Sequence, residues 1–140
     1  MGTSGAKLWR SENNMTPYVP PTEQLVVEVY VRDLQRSKTF YLQLGFDLLS
    51  EKESFISLTW ENHQLFLEER RDLPPLADSP QANMRIMVPD VDECWRRISE
   101  MKARVIKPIA DRGYGLRDFT IADPDGFGLR FGSRLPRTGG

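Results

Sequence analysis

The sequence predicts an α+β protein built from two tandem βαβββ units, whose curved mixed sheets form around a cleft. One observation is a repeated order of elements, since a strand, a helix and three further strands occur twice along the chain. The other is a constant spacing between matching points, because Asp33 and Asp90 each end a strand and lie 57 residues apart (90 minus 33). Two such units indicate a pseudo-twofold arrangement.

The first unit begins with a β-branched and aromatic strand over residues 25–31, and Asp33 then caps a helix that closes at Gly45. Three short strands are predicted to follow at 46–50, 55–60 and 64–69, with a tight turn at 61–63. The second unit repeats the order with strands at 84–88, 103–106, 116–121 and 127–131, a helix after Asp90 and a turn at 123–126.

The predicted domain organisation is a single domain over residues 24–134, with units at 24–69 and 83–132. Residues 1–23 are rich in small polar residues and proline and predict a flexible arm, and residues 135–140 predict a short tail.

Composition excludes several classes of function. Nineteen basic and twenty acidic residues leave a net charge of -1, which disfavours nucleic acid as a partner. No apolar run approaches the ~20 residues of a membrane span, and we expect no membrane partner. The single cysteine, Cys94, rules out an internal disulfide framework and favours a cytoplasmic location.

Two groups of residues resemble the vicinal oxygen chelate superfamily, which includes glyoxalase I, extradiol dioxygenases and bleomycin-resistance proteins. The first group is 31–37 (VRDLQRS), 40–41 (FY) and 44–46 (LGF); the second is 114–119 (YGLRDF), 123–126 (DPDG) and 129–132 (LRFG). The second group is similar to the bleomycin-resistance branch, with Tyr114 where that branch has tryptophan. The resemblance implies the duplicated fold over residues 24–133.

Metal-dependent members of that superfamily take ligands from four equivalent places, which map here to Val26, Leu67, Asn83 and Arg130. Valine and leucine have no lone pair, asparagine is a weak neutral ligand, and arginine is a permanent cation. The sequence therefore predicts no metal and no cofactor.

Arg130 is expected to point into the cleft, where it either pairs with a carboxylate or phosphate of a ligand or forms an internal ion pair with Glu28 or Glu68. The aromatic candidates for a pocket each have core packing as their alternative. The complete set of predicted ligand-binding residues is Arg130, Glu28, Trp60, Phe66, Glu68, Tyr114, Gly115, Phe119 and Asn83.

Two reactive residue types receive no role from the sequence. His63 is expected in an exposed hairpin turn, and Cys94 on the second helix is expected to act as a small buried hydrophobe rather than a nucleophile. Neither position has the neighbours that a catalytic histidine or thiol would need.

Three functions stay open at this point. The first is a metal-free small-molecule binding protein that sequesters an antibiotic or aromatic metabolite in a homodimer cleft, with N-terminal arms exchanged in some relatives. The second is a lyase, isomerase or dioxygenase-like enzyme of the same superfamily, with Glu28 or Glu68 as base and Arg130 stabilising negative charge. The third is a regulatory or structural dimer whose cleft is filled by Trp60, Phe66 and Arg130.

Overall fold

The computed structural model describes residues 17–137, so most of the predicted N-terminal arm and the end of the tail lie outside the described residues. Within that range the elements in chain order are α1 (Pro21–Gln24), β1 (Val27–Val31), α2 (Leu34–Leu44), β2 (Asp47–Glu51), β3 (Phe55–Trp60), β4 (His63–Glu69), β5 (Asn83–Met87), α3 (Val91–Glu100), β6 (Arg104–Asp111), β7 (Leu116–Ala122) and β8 (Gly128–Arg134). None of the helices in this range has the length and apolar character that a membrane crossing requires.

The strands form two four-stranded sheets of identical topology. The first sheet has the order β1-β4-β3-β2 and the second has the order β5-β8-β7-β6. In each sheet the first and last strands of the unit pair in parallel, and the remaining pairs are antiparallel. The predicted α+β class and the two tandem βαβββ units are therefore confirmed.

The strand register corrects the sequence alignment of the last strands by one residue. Val29 pairs with Leu67 in the first sheet, and its equivalent Ile86 pairs with Phe131 in the second. The spacing of the last strands is therefore 64 (131 minus 67) rather than the 63 (130 minus 67) that follows from treating Leu67 and Arg130 as equivalent, and Arg130 corresponds to Phe66. The irregular register along β6 and β7 makes such spacings hard to count from sequence. Because a one-residue shift moves a side chain to the other face of a sheet, this difference matters for the site.

Both long helices begin in the same way. Asp33 accepts a hydrogen bond from the backbone N–H of the third residue beyond it, and Asp90 does the same at the start of α3. The first backbone N–H of α2 donates to the carboxylate of Glu69 on β4. The first backbone N–H of α3 donates to the hydroxyl of Ser133 on β8. The two supporting residues are again 64 apart (133 minus 69), which verifies the corrected alignment.

Several element boundaries differ from the sequence prediction, and two of the differences have a clear physical reason. The first strand begins at Val27 rather than at Leu25, because Pro21 starts a short helical turn immediately before it. The sixth strand continues to Asp111 instead of stopping at Ile106, although it contains Pro108. A proline is tolerated there because β6 is an edge strand.

A single core joins the two units. Helix α2 packs on β3 and β4, and α3 packs on β7 and β8, so that each sheet has a helix-covered face and an open face. Apolar side chains from both helix-covered faces form one buried cluster, in which the Trp60 ring of the first unit lies 6.2 Å from the Phe131 ring of the second. The open faces do not contribute to this core.

The turn at 123–126 fastens the second unit to α2. The Tyr41 hydroxyl donates to Asp123 Oδ2 at 2.7 Å, and Asp123 Oδ1 accepts the N–H groups of Asp125 and Phe127. Burial raises the pKa of Asp123, and the Tyr41 hydrogen bond opposes that rise. Gly126 completes the turn at a φ of +93°, as the sequence predicts for this position.

Asp125 forms a second link beside the first. Its carboxylate is 1% exposed and accepts from Arg32 Nη1 at 3.0 Å and from Arg36 Nη2 at 3.2 Å. The two arginines lie just before and within the first turn of α2, so the turn and the helix start are held together by charge.

We expect Tyr41→Phe to lower the free energy of unfolding by about 1–3 kcal/mol, because it leaves a buried carboxylate oxygen of Asp123 without its donor. Urea denaturation at neutral pH measures the change. Tyr30→Phe is the matched control, since Tyr30 is 45% exposed, and it should change stability by about 0.5 kcal/mol or less. Equal stabilities for the two variants would contradict this account of the link between the units.

Candidate ligand-binding site

Three cationic side chains and one hydroxyl form a row across the open face of the second sheet. Lys107 on β6 pairs with Thr120 on β7, Thr120 pairs with Arg130 on β8, and Arg130 pairs with Arg85 on β5. Register partners point to the same face of a sheet, so these four side chains share the open face. We call them the cationic row.

Strand alternation places Arg130 on this face. Its neighbours Leu129 and Phe131 are fully buried on the helix-covered side, so the residue between them must point the other way. The Arg130 side chain is 28% exposed, which leaves its guanidinium half-buried.

The open face of the second sheet also holds a buried carboxylate. Asp118 is 1% exposed and accepts from Arg112 Nε at 2.8 Å and from the Tyr114 hydroxyl at 2.5 Å. Arg130 Nη1 is 3.9 Å from Asp118 Oδ2. Burial alone would raise the pKa of Asp118, but the hydrogen bonds from Tyr114 and Arg112 and the two arginine charges outweigh it and lower the pKa.

Tyr114 lies over this pair in the loop between β6 and β7. Its ring is 57% exposed, and the Arg130 Cζ atom is 5.8 Å from the ring centroid, at a distance suited to a cation–π contact. The hydrogen bond to Asp118 raises the pKa of the Tyr114 phenol. Gly115 follows with a φ of +89°, and no atom lies within 4 Å of the position a Cβ would take, so the turn conformation rather than crowding requires glycine.

The Arg130 guanidinium has unused donor capacity. Its Nε atom is buried and has no hydrogen-bond partner among the described residues 17–137, and its ion pair with Asp118 is too long for a hydrogen bond. The sequence offered Glu28 or Glu68 as an internal partner, and the structure gives Asp118 instead. Those two glutamates lie on the first sheet, whereas Asp118 is on the strand next to Arg130.

The open face of the first sheet is acidic and aromatic. Glu28 pairs with Phe66, and Tyr30 pairs with Glu68, which puts two carboxylates among aromatic rings. The Phe66 ring lies 5.2 Å from Phe55 on the neighbouring strand. The predicted site residues Glu28, Phe66 and Glu68 are therefore together, but on a different sheet from Arg130.

Two further predicted residues lie away from the cationic row, whereas Asn83 lies on the same face of β5 as Arg85, two residues before it. Phe119 is fully buried against Trp95 and Phe131, and the half-buried Trp60 ring packs on Phe46, so both have the core packing that was their alternative. They alternate onto the helix-covered face, where a ligand on the open face does not reach them. Asn83 is exposed at the start of β5, beside Gly128.

The residues at the family's metal positions do not fit a metal. With the corrected register these positions are Val26, Phe66, Asn83 and Arg130, because Leu67 is fully buried on the helix-covered face. A valine, a phenyl ring, one amide and a guanidinium supply no set of donors for a divalent cation. Within residues 17–137, no cluster of three histidine, cysteine, aspartate or glutamate side chains could hold an ion.

Cys94 and His63 do not belong to the charged residues on the open face of either sheet. Burial raises the pKa of the half-buried Cys94 thiol to about 11, although the charge of Arg97 opposes the rise. A thiol with that pKa is almost entirely protonated at neutral pH and is a poor nucleophile. His63 is exposed at the start of β4, next to the two-residue turn at Glu61 and Asn62.

Sequence reasoning missed five residues of this site, namely Arg85, Lys107, Thr120 and Asp118 on the second sheet and Arg112 in the loop after β6. Asp118 lies within the 114–119 motif, but the motif alone assigns it no role. The alternation of Asp118, Thr120 and the buried Phe119 and Ile121 was a usable signal, because it puts the two polar residues on one face. Arg85 and Lys107 required the strand pairing.

These features define a class: a duplicated βαβββ protein with a polar open face on each sheet. The model of the Glyoxalase/Bleomycin resistance protein/Dioxygenase superfamily matches residues 24–131. The chain belongs to that superfamily. No curated protein sequence matches the chain significantly.

Solved structures with the same fold include a bleomycin-binding protein and a bleomycin resistance determinant. A bleomycin-binding protein complexed with bleomycin is 21% identical, with 81% of this chain and 99% of that chain covered and a TM-score of 0.66. A bleomycin resistance determinant encoded on the transposon Tn5 is 22% identical, with coverages of 81% and 98% and a TM-score of 0.67. TioX from Micromonospora sp. ML1 is also 22% identical, with coverages of 79% and 98% and a TM-score of 0.67. At these identities the likeness establishes the fold.

We expect Asp118→Asn to lower the free energy of unfolding by about 1.5–3 kcal/mol at pH 7, because it removes a charged acceptor from Arg112 and Tyr114. The folded pKa of Asp118 is lowered, so its contribution is present above the unfolded value of about 4 and is lost as the pH falls through the folded pKa. The difference between wild type and variant should therefore shrink in acid.

Denaturation at pH 7 and pH 3 measures this difference. Asp92→Asn serves as the control, since Asp92 is 65% exposed in its ion pair with Arg117 and should contribute about 0.5 kcal/mol or less. A variant of Asp118 as stable as the wild type at pH 7 would show that the carboxylate does not organise the site.

Proposed function

We propose that this protein binds a small organic molecule without a metal, in a cleft between two copies of the chain. The observation that supports this most directly is the Arg130 guanidinium, which is half-buried on an open face with a buried Nε that lacks an acceptor. A donor of this kind is costly unless something binds it. Membership in a superfamily whose fold neighbours include bleomycin-binding proteins supports a ligand of modest size.

The two open faces support a dimer. The helix-covered faces already meet in the shared core, so the open faces of one chain cannot also cover each other. One open face carries Glu28 and Glu68 among aromatic rings, and the other carries Arg85 and Arg130. A twofold axis would bring the acidic aromatic face of each copy against the cationic face of its partner, which is a self-complementary contact.

The exposed apolar atoms on these faces favour the same arrangement. Tyr30 is 45% exposed and Met87 is 38% exposed, both on strands at a sheet edge. Pairing with a second copy would bury them around a ligand. The single cysteine and the absence of any need for a metal are consistent with the cytoplasmic location inferred from sequence.

The enzyme alternative requires a glutamate base near Arg130. Within one chain Glu28 and Glu68 lie on the first sheet and Arg130 on the second, so only a partner subunit could bring them together. The third alternative, a cleft filled by Trp60, Phe66 and Arg130, is weakened because Trp60 packs in the core. Binding in the dimer cleft needs no catalytic base, even though the same dimer would bring the glutamates near Arg130.

Purified protein should contain less than about 0.1 equivalent of zinc, nickel, iron or manganese, because Val26, Phe66, Asn83 and Arg130 occupy the metal positions. Elemental analysis after dialysis against a dilute chelator makes the measurement. One metal ion per subunit that survives this dialysis would contradict the metal-free proposal.

Light scattering should give a mass of about twice 16.2 kDa at micromolar concentration. A species of 16.2 kDa alone would overturn the dimer cleft.

A thermal-shift screen of neutral, cationic and anionic aromatic compounds should find ligands that raise the melting temperature of the metal-free protein. The absence of a shift with every class of compound would overturn the binding function.

A further inference from the structure

We infer that the open face of the second sheet is an oxyanion site and that the natural ligand is an aromatic carboxylate or phosphate ester. This inference rests on the proposed function and adds the chemical class of the ligand. The anionic group binds to the cationic row, and the aromatic ring packs against Phe55 and Phe66 of the partner copy.

The first support is the geometry of the row. Lys107, Thr120, Arg130 and Arg85 lie side by side on four adjacent strands. With strands about 4.8 Å apart, the row spans about 14 Å and directs three cations and one hydroxyl to the same side. Arg and Lys side chains with a neighbouring hydroxyl are the groups that proteins use to bind phosphate and carboxylate.

The second support is the absence of internal compensation for these charges. Arg85 and Arg130 are register partners, and like charges at adjacent positions repel. Arg85 and Lys107 form no ion pair with any residue in the range 17–137, while Arg130 has one ion pair in that range, at 3.9 Å. A bound anion would neutralise the repulsion that the fold leaves in place.

The third support is the state of Asp118. Its two oxygens already accept the short hydrogen bonds from Arg112 and Tyr114, so the carboxylate attracts Arg130 without using the Arg130 donors. Asp118 therefore acts as a positioning residue, and the Arg130 guanidinium keeps its hydrogen bonds for a ligand. The Tyr114 ring lies on one side of Arg130, 5.8 Å from its Cζ atom.

The charges on this face of the second sheet disfavour a cationic ligand. Three cations face outward from the row, and the neighbouring carboxylate is buried beneath Arg112 and Tyr114. A nucleic acid is disfavoured as well, because the net charge of the whole chain is -1 and the cations are confined to one short row.

The test uses three probes of similar size, phenyl phosphate, benzyl alcohol and benzylamine, which are anionic, neutral and cationic. Titration calorimetry or amide NMR shifts with the full chain measure their affinities for wild type, Arg130→Gln and Arg85→Gln. Arg97→Gln is the control, since Arg97 is a 73% exposed arginine on α3. Arg85 is exposed and its side chain forms no hydrogen bond or ion pair with residues 17–137, so its variant tests the row even if Arg130→Gln folds poorly.

Phenyl phosphate should bind the wild type and the Arg97→Gln variant with equal affinity. It should bind the Arg130→Gln and Arg85→Gln variants about tenfold or more weakly, because each variant loses a charged hydrogen bond. Added sodium chloride should weaken the same binding. The inference is overturned if benzylamine or benzyl alcohol binds as well as phenyl phosphate, if both row variants keep wild-type affinity, or if none of the three probes binds. If an uncharged or cationic probe binds equally well, or if the row variants keep their affinity, the protein still binds small molecules and only the oxyanion site is ruled out. If none of the three probes binds, the thermal-shift screen of aromatic compounds decides whether the proposed binding function also fails.

Discussion

Strand alternation divides every sheet of this protein between a face that a helix covers and a face that it leaves open. The two helix-covered faces share one core, in which rings from both units meet, as Trp60 and Phe131 do. This shared core fixes the relative position of the units and turns their open faces away from each other. The chemistry of the protein is therefore confined to surfaces that only a ligand or a second copy can cover.

The turn at 123–126 adds a polar connection to this apolar one. Asp123 and Asp125 have little exposure and are satisfied by Tyr41, Arg32 and Arg36 from the other unit. Apolar contacts alone tolerate sliding, whereas a buried carboxylate with a fixed set of donors does not. The motif that resembles the bleomycin-resistance branch thus has a structural role in this chain, and it holds the second sheet in place beneath the cationic row.

The sequence was sufficient for the fold because helix caps and strand patterns repeat at a constant spacing, as Asp33 and Asp90 do. It also placed Arg130 correctly between two buried neighbours, since alternation is a local property. Its partner could not be predicted in the same way, because Asp118 is brought to Arg130 by pairing between β7 and β8. Aromatic residues such as Phe119 were ambiguous for a related reason, because an aromatic side chain suits a core and a pocket equally well.

The same limit explains the one-residue error in the last strands. The second unit has longer strands and turns than the first, so the spacing between equivalent residues grows along the unit, and only the observed register shows that Phe66 corresponds to Arg130. A crystal structure of the protein with phenyl phosphate tests the central claim most directly. We predict two copies, with the phosphoryl group hydrogen-bonded to Arg85 and Arg130 of one and the phenyl ring against Phe66 of its partner. A phosphoryl group bound on a helix-covered side, or a cationic row without ligand in a crystal that holds the ester elsewhere, would contradict it.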